Sequence, residues 1–392
     1  MFHQLSMILI FLCVPFVIIL GSFGTDETSI STRRQPPPGY YAIHPDDYFS
    51  SGFLAWKHYE WLTHNIPFID FPDDKDILTA YYYRWEMYRK HIRFVAEKNL
   101  FVITEFLPTV PWAGKYNTIP AAAGHHIMEG RWIHDERILN DYIKFWLSDD
   151  GGDVGSYTNW IGHAAWHRYL LNGNTTFIAS LRDGLTKTFR EIYVPKYLKE
   201  ILWNGTETLS CWWQNDGWDA MEVSISGSGC RPTIASAMFG EAETIVKLSG
   251  LIFDDSNEAL REEFVQWREM SRLVILDHHW NQDIQSFAVI PTAFEIESGS
   301  GNNDNGSFPV YYSKDCDISG VRVPNRTARV RELLAFMPWY FESLIPSNRT
   351  AKYTTMWREL FDPNGFSGKW GLRTAELRHP CYNYSYDHGD CW

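Results

Sequence analysis

The sequence predicts an all-α domain built from consecutive helical hairpins. Three observations favour this fold class. Apolar residues recur at helical spacing along most of the chain, alternating strand patterns are scarce, and long loops rich in Trp, Gly and Asp separate the apolar segments. Helical hairpins of this kind can close into an α/α toroid, whose loops line a central cleft.

Five segments carry the helical pattern. Residues 135–147 place five apolar side chains at the spacing of one helix face, which predicts an amphipathic helix. We predict further helices over residues 157–171, 233–250, 257–280 and 328–345. Gly250 is the expected C-cap of the helix over 233–250, because glycine readily adopts the left-handed conformation that ends many helices.

The chain is predicted to begin with an export signal and a stem. Residues 1–23 contain an uncharged apolar run followed by small residues, which is typical of a signal peptide. The run is short for a membrane span and contains Pro15, but a signal anchor is the alternative. Residues 24–50 are polar and include three consecutive prolines, which predicts a flexible stem. Residues 51–392 form the predicted globular domain.

Charge and aromatic content restrict the partners. The 392 residues include 35 Lys and Arg against 48 Asp and Glu, a net charge of −13, so the chain has no electrostatic attraction to nucleic acid or anionic membranes. Its 18 tryptophans exceed what a core of this size needs. Most of these rings should be core, and we expect the remainder to stack on sugar rings, which present C–H groups on their faces. The expected partner is therefore a carbohydrate.

The cysteines indicate an oxidising compartment rather than a metal site. No Cys-x-x-Cys pair occurs, which argues against zinc. One cysteine, Cys13, lies in the leader. Among the other five, Cys211–Cys230 and Cys381–Cys391 are locally plausible disulfides. Because five is an odd number, we expect either one free thiol or a thiol whose partner is not in this chain.

Glycosylation signals agree with export. Five Asn-x-Ser/Thr sequences are predicted glycan acceptors on surface loops, whereas a sixth, at Asn383, lies in a segment that we place near the active site. The predicted location is therefore secreted or within the lumen of the secretory pathway, with a single-pass signal-anchored protein as the alternative. The five acceptors are Asn174, Asn204, Asn305, Asn325 and Asn348.

The segment Gln214–Glu222, "QNDGWDAME", gathers three acidic residues around a tryptophan. A glycosidase needs a carboxylic acid that keeps its proton near neutral pH, and a large ring beside a carboxyl group favours the protonated form by excluding water. Trp218 precedes Asp219 and supplies such a ring. The following "SISGSG" is expected to be flexible and rich in hydroxyl groups that line a sugar site.

"GWDAMEVS" resembles the Gly-Trp-Asp segment of α/α-toroid glycosidases, in the clan that contains glycoside hydrolase family 63 and the mannosylglycerate hydrolase-like enzymes. Residues 110–133, 157–174 and 379–392 resemble the same family, and the likeness extends over about residues 55–392. The resemblance implies an (α/α)6-toroid and an inverting, exo-acting hydrolase of glucosyl- or mannosyl-linked saccharides. It also implies that Asp219 is the general acid.

The general base is the missing part of this prediction. In the family, the base is a Glu beyond the segment that matches residues 379–392, and no residue of this chain maps onto it. We therefore expect the toroid to be incomplete at its C-terminus. Asp387, Asp390 and Glu105 could face the cleft and serve as base, but we favour sugar-binding roles, supporting roles or simple exposure to solvent for them. The alternative function is a non-catalytic carbohydrate-binding protein or an inactive fragment.

The remaining site residues are predicted to bind substrate through ring stacking or hydrogen bonds to hydroxyl groups. No cofactor and no catalytic metal are expected, because the adjacent histidines His125–His126 and His278–His279 would point to different sides of a helix. The predicted substrate-binding residues are Trp112, Lys115, Asn117, Trp160, Trp218, Asp216, Glu222 and His388.

Overall fold

The computed structural model describes residues 59–71, 73–107, 110, 113–219, 221, 224–251, 256–292 and 317–382. The predicted leader and stem lie outside these ranges. The chain divides into two units, Met1–Tyr81 and Tyr82–Trp392, and the division falls within one helix.

Helices dominate the described residues, as predicted. Helix α1 (Tyr59–Asn65) belongs to the first unit, and helix α2 (Lys75–His91) contains the division between the two units. The helices of the second unit are α3 (Pro120–Gly130), α4 (Glu136–Leu147), α5 (Ile161–Asn172), α6 (Thr175–Ser180), α7 (Arg182–Thr188), α8 (Val194–Tyr197), α9 (Pro232–Leu251), α10 (Ser256–Leu273), α11 (Ile318–Val321) and α12 (Thr350–Tyr353). Single-turn or 3-10 segments are Lys115–Asn117, Asp216–Trp218, Leu333–Trp339 and Thr354–Leu360, and π-helical turns are Phe189–Tyr193 and Val274–His279.

Helix α9 occupies the centre of the second unit. Nearly every residue from Pro232 to Ser249 is buried, as expected for a helix covered on all sides. It packs against α10, α5, the 3-10 segment Leu333–Trp339 and the strand that ends at Gln214. Small residues allow these close approaches. A Cβ on Gly162 of α5, for example, would lie 2.6 Å from the Glu241 carboxylate of α9.

The prediction for residues 135–147 is confirmed by α4. Asp135 caps the helix by accepting a hydrogen bond from the Arg137 backbone N–H, and the predicted apolar face is buried. Helix α5 begins at Ile161, four residues later than predicted, because the Asn159 side chain donates to the Val154 carbonyl (2.7 Å) and holds a turn there.

Two sequence expectations about helices are wrong. Gly250 lies inside α9 rather than capping it, since the helix continues to Leu251. Residues 328–345 do not form one helix but contain a 3-10 segment with Pro338 inside it. The backbone N–H groups of Ala328 and Leu333 donate to the Val289 and Thr374 carbonyls instead (2.7 Å each). These tertiary hydrogen bonds and the missing N–H of proline prevent the helix.

A four-stranded antiparallel sheet was not predicted. Its order is β3 (Leu198–Trp203), β4 (Glu207–Gln214), β5 (Gly229–Cys230) and β8 (Ile290–Pro291). Two small pairs accompany it, β1 (Ile92–Val95) with β2 (Leu100–Ile103), and β6 (Trp280–Asn281) with β7 (Ser286–Phe287).

A short sequence signal could have revealed the β3–β4 hairpin. Asn204 and Gly205 both have positive φ, as a type I′ turn requires, and Asn-Gly is the strongest short hairpin signal. The predicted disulfide Cys211–Cys230 is present and joins β4 to β5, with a Cα–Cα distance of 5.8 Å. The sheet therefore fixes the start of α9, which follows β5 by a single residue.

Candidate active site

Asp219 lies directly after the 3-10 turn Asp216–Trp218, which follows the end of β4. Asn215 starts the turn by accepting a hydrogen bond from the Gly217 N–H (2.9 Å). Asp219 itself is 3% exposed, whereas the Trp218 ring beside it in sequence is 45% exposed. The idea that the Trp218 ring shields the Asp219 carboxyl group is therefore not supported, because that ring is turned towards solvent and Lys196.

The two carboxylate oxygens of Asp219 have different surroundings. Oδ2 accepts hydrogen bonds from Arg231 Nε and from Thr233 Oγ1, and it forms a buried ion pair with Arg231. Oδ1 is buried and has no hydrogen-bond partner within the described ranges. A buried polar atom without a partner is costly, and such atoms are frequently explained by a functional role. Oδ1 is thus the oxygen of Asp219 that remains available for chemistry.

Arg231 is held rigidly between the sheet and a loop. It follows the disulfide-bonded Cys230, and its backbone N–H donates to the Trp212 carbonyl (3.1 Å). Its guanidinium donates through Nη1 to Ser224 Oγ (2.9 Å) and the Gly227 carbonyl (2.5 Å). Nη2 donates to the Met221 carbonyl (3.0 Å). Sequence reasoning missed Arg231, although a cation within an otherwise uncharged stretch after three carboxylates was a readable signal.

The loop 224–228 does not match the expected flexible, hydroxyl-lined surface. Its three serines are at most 4% exposed, and Glu332 clamps it from a distant part of the chain. The Glu332 carboxylate accepts hydrogen bonds from the Ile225 N–H (2.6 Å), the Ser226 N–H (3.3 Å) and Ser226 Oγ. Burial raises the pKa of Glu332, while the hydrogen bonds from Ser226 and the charge of Arg231 oppose that rise. A second cation, Arg322, donates to the Ile225 and Ser224 carbonyls (2.8 and 3.1 Å).

Three predicted substrate-binding residues use their polar atoms within the protein. Asp216 is half-buried, and its Oδ1 accepts a hydrogen bond from Ser228 Oγ (3.0 Å). Asn117 is 8% exposed; its Oδ1 accepts from the Val110 N–H (3.2 Å), and its Nδ2 donates to the Phe106 carbonyl (2.5 Å). Lys115 is exposed, and its Nζ donates to the Asp150 carbonyl. Trp112, Glu222 and His388 lie outside the described residues.

Trp160 is buried at the start of α5 rather than displayed in an open cleft. It is 1% exposed, and its ring contacts His125 edge-on at 4.7 Å between centroids. Tyr340 and Phe341 cover it further, at 5.8 and 6.4 Å. Stacking of a sugar on Trp160 would require Tyr340 or His125 to move away.

Glu241 is a second unusual carboxyl group that sequence reasoning missed. It lies on α9 and accepts hydrogen bonds from the backbone N–H groups of Gly162 and His163 at the start of α5 (3.1 Å for His163). Burial raises its pKa to about 7, partly opposed by these two hydrogen bonds. A single acidic residue within the small and apolar run 232–242 was the available signal. Its carboxyl group serves the contact between α9 and α5.

Other described features bear on the location and chemistry of the protein. Asn204 and Asn348 are exposed, Asn174 and Asn325 are half-buried, and Asn305 lies outside the described residues. Cys381 is also in a disulfide, but its predicted partner Cys391 is not described. Within the ranges described, no group of three or more metal-ligating side chains is found, and no helix combines the length and apolar character needed to span a membrane.

Comparison with known proteins identifies the domain. Residues 115–392 match the family described as the mannosylglycerate hydrolase MGH1-like glycoside hydrolase domain. A solved sialidase chain is 30% identical with a TM-score of 0.66, over 82% of this chain and 26% of the sialidase chain. This chain thus corresponds to about a quarter of the sialidase's length, and no curated protein gives a significant match. The predicted all-α toroid glycosidase fold is confirmed, and the chain belongs to the MGH1-like glycoside hydrolases.

Proposed function

We propose that the protein is an inverting, exo-acting glycosidase that hydrolyses a glucosyl- or mannosyl-linked saccharide, with Asp219 as its general acid. Membership of a glycoside hydrolase family supports the reaction class. The observation that supports Asp219 is its asymmetric carboxyl group, in which Oδ2 is anchored by Arg231 and Thr233 while Oδ1 is buried without a partner.

In the proposed reaction Asp219 acts in its protonated form, with the proton on Oδ1 while Oδ2 still accepts the hydrogen bonds of Arg231 and Thr233. That proton moves to the glycosidic oxygen as the bond from this oxygen to the anomeric carbon breaks. A water molecule attacks the anomeric carbon from the opposite face and gives its proton to a second carboxylate. Inverting enzymes place the two carboxyl groups about 6.5–9.5 Å apart to leave room for that water. Because Asp219 is buried, turnover requires that Oδ1 become accessible to the leaving oxygen.

We assign no described residue to the base. Glu332 accepts hydrogen bonds from Ile225 and Ser226, and Glu241 accepts them from the start of α5, so both carboxyl groups are engaged in holding the fold. Removing either from its partners would leave backbone N–H groups unpaired.

A non-catalytic carbohydrate-binding protein is the second candidate function. Two observations favour it: the Asp219 side chain is fully shielded from solvent, and no base is assigned among the described residues. In that case the wild-type protein would bind a saccharide without releasing a monosaccharide from it.

We also propose that the protein resides in the secretory pathway or outside the cell. The Cys211–Cys230 disulfide and the exposed acceptors Asn204 and Asn348 support this location.

One experiment separates the two functions. Monosaccharide release is measured for the wild type, Asp219→Asn and the matched control Asp216→Asn on glucosides, mannosides and a mannosylglycerate-type glycoside. A sialoside is included because a similar solved chain is a sialidase. An enzyme should lose about 10²- to 10⁴-fold of its turnover in Asp219→Asn, with a smaller loss in Asp216→Asn. Calorimetric binding of the same saccharides without release by any variant would contradict hydrolysis and favour the binding protein.

A further inference from the structure

We propose that Arg231 and Thr233 are positioning residues for Asp219, which fix Oδ2 so that Oδ1 alone carries and delivers the proton. This inference rests on the proposed function of Asp219. It adds to it two residues that act through the acid rather than through the substrate.

The contacts make the two oxygens inequivalent. Arg231 Nε and Thr233 Oγ1 both donate to Oδ2, and neither donates to Oδ1. Rotation of the carboxyl group by half a turn would exchange the oxygens, and both hydrogen bonds would have to break during that motion. In a buried setting each broken bond to a charged group is expensive. The carboxyl group is therefore locked in one orientation.

Both donors stand on rigid parts of the fold. Arg231 follows β5, whose Cys230 is bonded to Cys211 of β4, and its side chain is fully buried. Thr233 is the second residue of α9, a helix that is buried along nearly all of its length, and is 1% exposed. A catalytic group held by such elements keeps its geometry with little thermal displacement.

The guanidinium of Arg231 also donates hydrogen bonds to a neighbouring loop, and Arg322, which contacts the same loop, provides a control. Arg231 supports the loop 224–228 through Ser224 and Gly227, and it also holds the Met221 carbonyl. Arg322 supports the same loop through the carbonyls of Ser224 and Ile225. A defect caused by a loosened loop should therefore follow either arginine, whereas a defect caused by a misplaced Asp219 should follow Arg231 and Thr233.

Leaving-group dependence distinguishes these cases. A glycosyl fluoride needs little protonation of its leaving group, whereas an alkyl glycoside or disaccharide needs a general acid. We compare the wild type with Arg231→Met, Arg231→Lys, Thr233→Val and Arg322→Met, using glucosyl and mannosyl fluorides of both anomers and the matching methyl glycosides. The expected result is at least a tenfold loss on the methyl glycoside for Arg231→Met, with less than a threefold loss on the fluoride. Thr233→Val should show the same pattern with a smaller loss, and Arg322→Met should lower both substrates by equal factors.

The conservative variant gives a further readout that a purely structural role would not move. Arg231→Lys keeps the positive charge and one donor, so it should recover part of the loss on the methyl glycoside that Arg231→Met shows. Equal losses on fluoride and methyl glycoside in Arg231→Met would overturn the proposal.

A double-mutant comparison tests the contact without using activity. Urea midpoints are measured for Asp219→Asn, Arg231→Met and the double variant. Each single change leaves a buried charge without its counter-charge, so the double variant should unfold at a higher urea concentration than additivity predicts. Strict additivity of the urea midpoints would contradict the Asp219–Arg231 contact itself. In the activity assay, absence of hydrolysis by the wild type on every substrate would contradict the proposed function and, with it, the catalytic part of this inference.

Discussion

The Glu241→Gln substitution should stabilise the protein increasingly as pH rises. Glu241 is buried on α9, and its pKa is raised from an ordinary 4.5 to about 7 because burial disfavours the charged form. Between these two values the folded state holds a proton that the unfolded state releases. The free energy of unfolding of the wild type therefore falls as pH rises through this window and levels off above pH 7. Glutamine does not titrate, so the variant lacks this fall.

The size of the effect follows from the two pKa values. Integrating the proton difference from pH 5 to pH 8 gives about 2.5 kcal/mol of stability lost by the wild type and not by Glu241→Gln. The variant also loses one acceptor for the Gly162 and His163 N–H groups, which costs about 1 kcal/mol at every pH. That constant cost cancels when the variant-minus-wild-type difference is compared between two pH values.

The assay is urea unfolding of both proteins at half-unit steps from pH 5 to pH 8. Titration of the buried histidines is common to both proteins and drops out of the difference. Glu243→Gln on the same helix is the control, because it removes a carboxylate paired with Arg268 (2.8 Å) and should not stabilise at any pH. A variant-minus-wild-type difference that stays flat over this range would refute the reasoning that Glu241 ionises at a cost within the fold.

Three further predictions concern other parts of the chain. Replacing Cys211 and Cys230 together by serine should lower the free energy of unfolding by about 3 kcal/mol under oxidising conditions, and equal stability of the variant and the wild type would contradict a native bond. Gly250→Ala should raise stability by about 0.5–1 kcal/mol, because no atom lies within 4 Å of its added Cβ and the residue is helical, whereas destabilisation would restore the C-cap interpretation. When the protein is secreted from a eukaryotic host, Asn204→Gln and Asn348→Gln should each remove one glycan's mass by mass spectrometry, and unchanged mass would refute acceptor use at that site.

The sequence pattern predicted those helices whose capping residue and apolar face lie within the helix itself or directly beside it. Helix α4 has a capping aspartate and a regular apolar face, and its predicted and observed bounds agree within one residue. Residues 328–345 have similar periodicity, yet the backbone N–H groups of Ala328 and Leu333 donate to the Val289 and Thr374 carbonyls, and no local pattern encodes these two hydrogen bonds. The β3–β4 hairpin was not predicted, although its Asn204–Gly205 turn is a hairpin signal that the sequence contains.

The candidate active site was predictable only in part, because its side chains are held by residues that lie far away in the sequence. Asp219 could be singled out from the Gly-Trp-Asp segment, but its burial depends on Arg231 and Thr233, which lie twelve and fourteen residues further along. The clamp on loop 224–228 comes from Glu332, more than one hundred residues away. Trp218 and Trp160 illustrate the limit of composition arguments, since one ring is exposed and the other lies deep in the core.

The most direct test of the account is the specificity constant of Asp219→Asn relative to the wild type on one glycoside with a poor leaving group. Both proteins are first shown to be folded by their circular dichroism and thermal transitions. The account predicts a loss of about 10²- to 10⁴-fold, the range expected when a general acid is removed. Hydrolysis by Asp219→Asn within a few-fold of the wild type would contradict the assignment of Asp219 as the acid.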